Sequence, residues 1–382
     1  MTASIRIVTK LGDQKTMRIF QFAASLLLLL SCAGCVPNSS GTVVAQAGVP
    51  SIQELRANGG CSNITGDQIA SDTYMLSGFD AESNGGQDLP GGSYKSPVFG
   101  PGDQASMAIR NAIALALGGS AQASQPVRTR ICSDINYIFV DARATMPYAF
   151  WETDKQAATA GHAPPWTFIG IPARLVGLLV NGGLKNSTLE AFISRALINS
   201  GQYRPSPSYD VTVQSTPDDA QTAMLSIIAH EEGHIVAHKF LLGNSGPPSN
   251  TCRGGIPFGD LTWMQVLRPP AFHRFNSPTA SVHKFGDPTP LAVALATRGG
   301  TADQTYAQLF LKGNFVSLFA ALAPDEDVAE TFKYYVLMHY APTPLTSLVI
   351  TYPGGTSSSV IDSFGNGKST AKLQCIQDNM AD

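Results

Sequence analysis

Ile227-Ile228-Ala229-His230-Glu231-Glu232-Gly233-His234-Ile235-Val236-Ala237-His238-Lys239 sets the demands that the rest of the 382-residue chain must meet. It holds His-Glu-x-x-His inside an apolar run with helical spacing. On an α-helix His230 and His234 lie about 6 Å apart along the axis, on nearly the same face. Two imidazoles placed this way can hold one metal ion from one side. Glu231 then points beside the ion, where it can take a proton from metal-activated water. A tetrahedral zinc site that does chemistry needs a third protein ligand and a water. The remaining sequence must therefore supply that ligand, a substrate groove and a scaffold.

The flanks define the helix. Thr216-Pro217-Asp218-Asp219 reads as its start. Thr216 is a capping residue, Pro217 suits the first helical position, and the two aspartates favour the positive helix end. The helix is expected to run to about Leu242 and to stop at Gly243. His238 falls about 12 Å along the axis from His230, too far to share an ion. The metzincin pattern HExxHxxGxxH needs Gly at 237 and His at 240, where this chain has Ala237 and Phe240. Another carboxylate source comes later, in Pro324-Asp325-Glu326-Asp327-Val328-Ala329-Glu330-Thr331-Phe332-Lys333-Tyr334-Tyr335-Val336-Leu337, a second helix with an acidic start. Glu326 and Glu330 share one face of it. One can reach a metal while the other accepts a hydrogen bond from a ligand imidazole. Spacing favours Glu326 as the third ligand, with Asp327 and Glu330 as rivals. Ala329 is small enough to let two helices approach.

HExxH followed by Glu326-Asp327-Val328-Ala329-Glu330 resembles the motif pair of gluzincin zinc peptidases of the lethal-factor kind, HExxH…ExxAE. The resemblance covers these two segments and the general order of elements. It implies Zn2+ held by His230, His234 and Glu326, Glu231 as general base, and Glu330 supporting a ligand histidine. It also implies a zincin-like α+β fold.

The order of the other elements fits. Residues 51–100 are rich in Gly, Ser, Asn and Asp and predict loops with little regular structure. Ser106 to Leu117 has helical spacing and ends at Gly118-Gly119. Ile131 to Val140, Tyr148 to Trp151 and Thr167 to Pro172 read as strands from their β-branched and aromatic content. They make a small mixed sheet ahead of the active-site helix. In many zinc peptidases the edge strand of such a segment pairs with an extended substrate, because an open edge offers backbone groups to a peptide. Ala173 to Leu179, Thr188 to Ile198, Ala302 to Leu311 and Phe315 to Leu322 read as helices, so the second half is mostly helical with long loops. Residues 244–300 are rich in Gly and Pro and suggest an insertion over the cleft. Tyr334, Tyr335, His339, His273 and His283 are weaker candidates to stabilise an oxyanion.

The setting is read from composition and the N-terminus. Hydrophobic residues make up 43% and charged residues 14%, with a net charge of −3, 36 Gly and 25 Pro. Such a balance excludes a disordered or nucleic-acid-binding chain and suggests a loop-rich globular protein. Lys10, Lys15 and Arg18 precede the apolar run Ile19 to Leu30, and Ser31-Cys32-Ala33-Gly34-Cys35 follows. That is the pattern of a secretory signal, too short for a membrane span. Its end resembles the lipobox of bacterial lipoproteins, with Cys35, or Cys32, as the lipidated residue. Residues 1–35 are thus expected to be the signal, 36–50 a flexible tether to a lipid anchor, and 51–382 the metallopeptidase domain, its part 51–130 loop-rich. Cys61, Cys132, Cys252 and Cys375 then form two disulfides with three possible connectivities. Two functions follow: an exported zinc peptidase of the cell envelope acting on a peptide or protein, or a zinc-bearing surface lipoprotein that binds a partner without turnover.

Overall fold

The computed structural model describes residues 52–71, 73–76, 104–141, 147–152, 166–172, 212–237, 251–265, 273–275, 315–317, 320, 324–351, 357–365 and 367–380. The signal with Cys32 and Cys35, the tether, His238, His283 and the helices expected over 173–179, 188–198 and 302–311 lie outside them. So do half of 315–322, whose described residues 315–317 are not helical, and most of 244–300.

The N-terminal part corrects the expectation of loops over residues 52–76, while 77–100 lie outside the described residues. It carries α1 (Ile52–Ala57), α2 (Gly66–Ser71) and β1 (Thr73–Leu76). The physical reason is a capping box. Thr65 Oγ1 accepts from the Gln68 N–H at 3.2 Å, and Gln68 Oε1 accepts from the Thr65 N–H at 2.8 Å. Burial of Ile64, Ile69 and Ala70 then holds α2 in place. Next come α3 (Gln104–Ala116) and α4 (Gln125–Asp134). Gly118 and Gly119 end α3 with positive φ, which an L side chain adopts only under strain.

Helix α4 is a second correction. Residues 131–134, expected to start a strand, are its last turn, and the strand β2 is only Tyr137–Asp141. Pro126 at the helix start, and Val127 and Ile131 buried one turn apart, impose the helical period on this stretch. Buried Arg128 donates to the carbonyls of Ile64, Leu117 and Ala121 and so ties these helix ends together.

Strands β3 (Tyr148–Glu152) and β4 (Trp166–Pro172) complete a sheet of order β1-β2-β4-β3. The first three are parallel, and β3 is the antiparallel edge. Tyr148 stands opposite Gly170, and its ring covers the space a side chain there would fill.

A second sheet was not foreseen. In it β5 (Thr212–Thr216) pairs with β8 (Ser347–Thr351), and β8 with β9 (Ser357–Ser359). Between them in sequence lie α5 (Ala220–Val236), the hairpin of β6 (Trp263–Gln265) and β7 (His273–Phe275), and α6 (Pro324–His339). The chain closes with α7 (Val360–Ser363) and α8 (Gly367–Met380). The cap of α5 differs from the expectation. Thr216 is committed to the sheet: it pairs with Ser347, and its carbonyl accepts from the Thr346 N–H at 2.8 Å. The cap therefore moves to Asp219, whose Oδ1 accepts from the Thr222 N–H at 2.7 Å.

Two disulfides form, Cys61–Cys132 and Cys252–Cys375. The first fastens the turn before α2 to α4. The second fastens the described part of the 244–300 segment to α8, and Phe258 and Leu261 of that segment are buried. The described residues thus make a mixed helix-and-strand fold with a small mixed sheet ahead of α5, which packs on β3 and β4. No described helix is long and apolar enough to cross a membrane.

Candidate metal centre

Helix α5 is buried from Thr222 to Val236, so its polar residues His230, Glu231, Glu232 and His234 are taken into the interior. Burying four such groups on one helix is costly unless each is paired or binds an ion. Helix α6 answers from the facing side with Glu326, Asp327, Glu330 and Lys333, all buried.

The two helices meet at Gly233 and Ala329. A Cβ added at Gly233 would lie 2.6 Å from Ala329 Cα. Only glycine allows this approach, and the approach lets short carboxylates on α6 reach the imidazoles on α5. Gly233→Ala is expected to push the helices apart, costing about 1–3 kcal/mol as for other overpacked cores. Chemical denaturation of the metal-free protein checks this, and a loss below about half a kcal/mol would contradict it.

His230 Nε2, His234 Nε2 and Glu326 Oε2 converge. The two nitrogens are 3.2 Å apart, and Glu326 Oε2 lies 3.4 Å from the first and 3.5 Å from the second. Zinc–nitrogen and zinc–oxygen bonds of about 2.0–2.1 Å at tetrahedral angles give ligand-to-ligand edges of about 3.3–3.4 Å. The three atoms therefore have the spacing of three corners of such a tetrahedron. Glu326 Oε2 is buried and has no hydrogen-bond donor among the described residues. The donor set, two imidazoles and a carboxylate, is one that zinc accepts.

Electrostatics tell the same story. Burial alone would lower the His230 pKa, but the Glu326 carboxylate beside it and the hydrogen-bonded Glu330 lift it to about 10. Burial lifts Glu326 to about 8, although His230 pulls it down. Burial, with the His230 charge next, lowers His234. These residues together demand one positive charge among them. A proton on His230 meets that demand without a metal, and a cation held by all three would meet it otherwise. Burial lifts Glu231 to about 7, with His230 opposing and Glu330 adding to the rise.

The rivals are engaged elsewhere. Glu330 Oε1 accepts from the His230 Nδ1–H at 2.7 Å, on the side of the ring away from Glu326. Asp327 Oδ2 accepts from Lys372 Nζ of α8 at 2.6 Å, with both side chains fully buried. Asp325 Oδ2 is 3.8 Å from His234 Nδ1, beyond hydrogen-bond reach. Glu231 forms no hydrogen bond or salt bridge with another described residue.

Of the oxyanion candidates, Tyr334 is buried with Lys333 Nζ 4.2 Å from its ring centroid. The Tyr335 hydroxyl meets that of Tyr340 at 3.2 Å and its ring meets His339, more than two turns beyond Glu326. His273 lies in β7. Ser317, Lys333 and Lys372 were not singled out in the sequence, yet each holds a carboxylate of α6. The spacing of Glu330 and Lys333, three apart on one helix, was the one local sign of any of them.

No family model matches the chain, and no curated protein or solved structure is significantly similar to it.

Proposed function

We propose that the chain is a zinc-dependent metallopeptidase of the gluzincin type with a zincin-like fold. The observation that carries the reading is the convergence of His230 Nε2, His234 Nε2 and Glu326 Oε2 at 3.2–3.5 Å on two crossing helices. Glu231, buried and adjacent in sequence to His230, supplies the general base. When bound, the zinc supplies Lewis acidity, polarising a carbonyl and making water a nucleophile near neutral pH. His230, His234 and Glu326 hold it there, and Glu330 fixes the orientation of the His230 ring. Glu231 takes the proton of the attacking water and returns it to the leaving amine.

Strand β3 supports a peptide substrate. Among the described residues it pairs only with β4, and α5 packs against it. An extended peptide adding to its outer edge would be held by backbone hydrogen bonds beside the helix that carries the histidines. The two disulfides support export to an oxidising compartment. Lipid anchoring at Cys35, or at Cys32, to a bacterial membrane completes the proposal.

Purified protein from metal-replete growth is expected to carry one equivalent of zinc and to cleave members of a broad peptide library. Chelation should stop cleavage and added zinc should restore it. Zinc without cleavage would leave a metal-bearing protein that binds a cell-envelope partner without turnover. Zinc-free protein would sink both.

A further inference from the structure

The His230–Glu330 hydrogen bond is only the inner part of a longer array. Glu330 Oε1 accepts twice, from His230 Nδ1–H at 2.7 Å and from Lys333 Nζ at 2.6 Å. Its other oxygen, Oε2, accepts from the Ser317 hydroxyl at 2.7 Å. Ser317 is itself fixed, because its Oγ accepts from the Ala320 N–H at 3.0 Å, which leaves its O–H free to point at Glu330. Ser317 and Glu330 are fully buried and Lys333 nearly so. Each has one arrangement available, and solvent does not compete for the bonds.

Donor counting then fixes the histidine. A carboxylate that receives three donors, one from an ammonium, is held as a pure acceptor. Its partner nitrogen, His230 Nδ1, must then carry hydrogen. In neutral imidazole a hydrogen on Nδ1 leaves the lone pair on Nε2, the atom that faces His234 and Glu326. Remove the donors and that assignment loosens. A buried Glu330 lacking Lys333 or Ser317 can turn, and His230 is no longer obliged to present Nε2.

We propose that Lys333 and Ser317 are positioning residues of the metal centre: by saturating Glu330 with donors they hold His230 in the tautomer and orientation that present Nε2 to the ion. The inference rests on the metal-site reading above and adds two residues to it. Neither touches the ion; both act through Glu330.

The test measures metal affinity, using Zn2+ in competition with a chromophoric chelator and Co2+ for its visible absorption. Ser317→Ala and Lys333→Met are each expected to weaken Zn2+ binding about tenfold, the lower end of what loss of a ligand's hydrogen-bonding support costs. Ser317→Thr, which keeps the hydroxyl, should bind Zn2+ as the wild type does. The Co2+ spectrum of Lys333→Met should change shape, reporting an altered His230 ligand. In the Glu330→Gln background Lys333→Met should add little further loss, because both act on one bond. Wild-type affinity in both single variants, or fully additive losses in the double variant, would overturn the proposal while leaving the metal site intact. If Lys333→Met fails to fold, Ser317→Ala with its Thr counterpart decides alone. A wild-type protein that binds neither ion would overturn the metal reading itself.

Discussion

Glu231→Gln is expected to lower peptide cleavage by about 10²–10⁴-fold, the usual contribution of a general base, with zinc content unchanged. The expectation follows from how differently the carboxylates of the site are used. Glu330 is saturated with donors, and Asp327 is locked to Lys372. Glu326 faces both Nε2 atoms from the third corner of the site. Glu231 alone is buried without a hydrogen bond or salt bridge to another described residue. Burial raises its pKa to about 7, where a carboxylate can both take and return a proton near neutrality. Glutamine keeps the shape and removes that capacity, and it is not one of the three converging ligands, so metal should stay. Turnover and zinc content measured on the same preparation check both halves. Normal turnover in this variant would refute the assignment of the base. Loss of zinc would place Glu231 among the ligands instead.

Lys372→Met should destabilise the metal-free protein by about 3–5 kcal/mol, the cost of leaving one charge of a buried pair without its partner. Lys372 and Asp327 are both at 0% exposure, 2.6 Å apart, and the ammonium lies 4.4 Å from the Phe315 ring centroid. Burial lowers the Lys372 pKa, and Asp327 opposes the fall. The pair costs desolvation on both sides, and deleting the cation leaves Asp327 with its share and without the Lys372 ammonium. Asp327 follows Glu326 directly, so the disturbance reaches the metal helix, and zinc affinity should fall along with stability. Urea unfolding of the metal-free variant measures the first effect. The pairwise term is checked by adding Asp327→Leu to Lys372→Met, which should recover much of the loss. A loss under about 1 kcal/mol in Lys372→Met would show that the pair is dispensable.

What the sequence revealed and what it hid follow one physical line. The helices carrying His230, His234, Glu326 and Glu330 were legible because an i, i+4 spacing is a local fact of helix geometry. The short strands Tyr148–Glu152 and Trp166–Pro172 were legible from their β-branched and aromatic residues. Local signals were also misread. The Thr65–Gln68 capping box stood in a stretch that composition assigned to loops. Pro126 at a helix start carried more weight than the β-prone residues after it. Thr216 looked like a cap until a strand 131 residues away in sequence claimed it, through its pairing with Ser347. Ser317, 13 residues from Glu330, and Lys372, 45 residues from Asp327, could not be found at all by spacing. Their partners are set by packing, on which periodicity is silent. The disulfide partners were hidden for the same reason, since counting cysteines limits the pairings without choosing one.

The contact of Gly233 with Ala329 has a bearing on ion selectivity. Main chain touching main chain leaves no soft side chain at the crossing to yield. The gap between the imidazoles and Glu326 is therefore gauged by two rigid backbones. A calcium ion, which takes six to eight oxygens at about 2.3–2.6 Å, would have to force two buried helices apart. An ion content with four short bonds to nitrogen and oxygen needs no such work, so at the proposed metal site the glycine would act as a mechanical filter on ionic size, from the position directly before His234 in the chain.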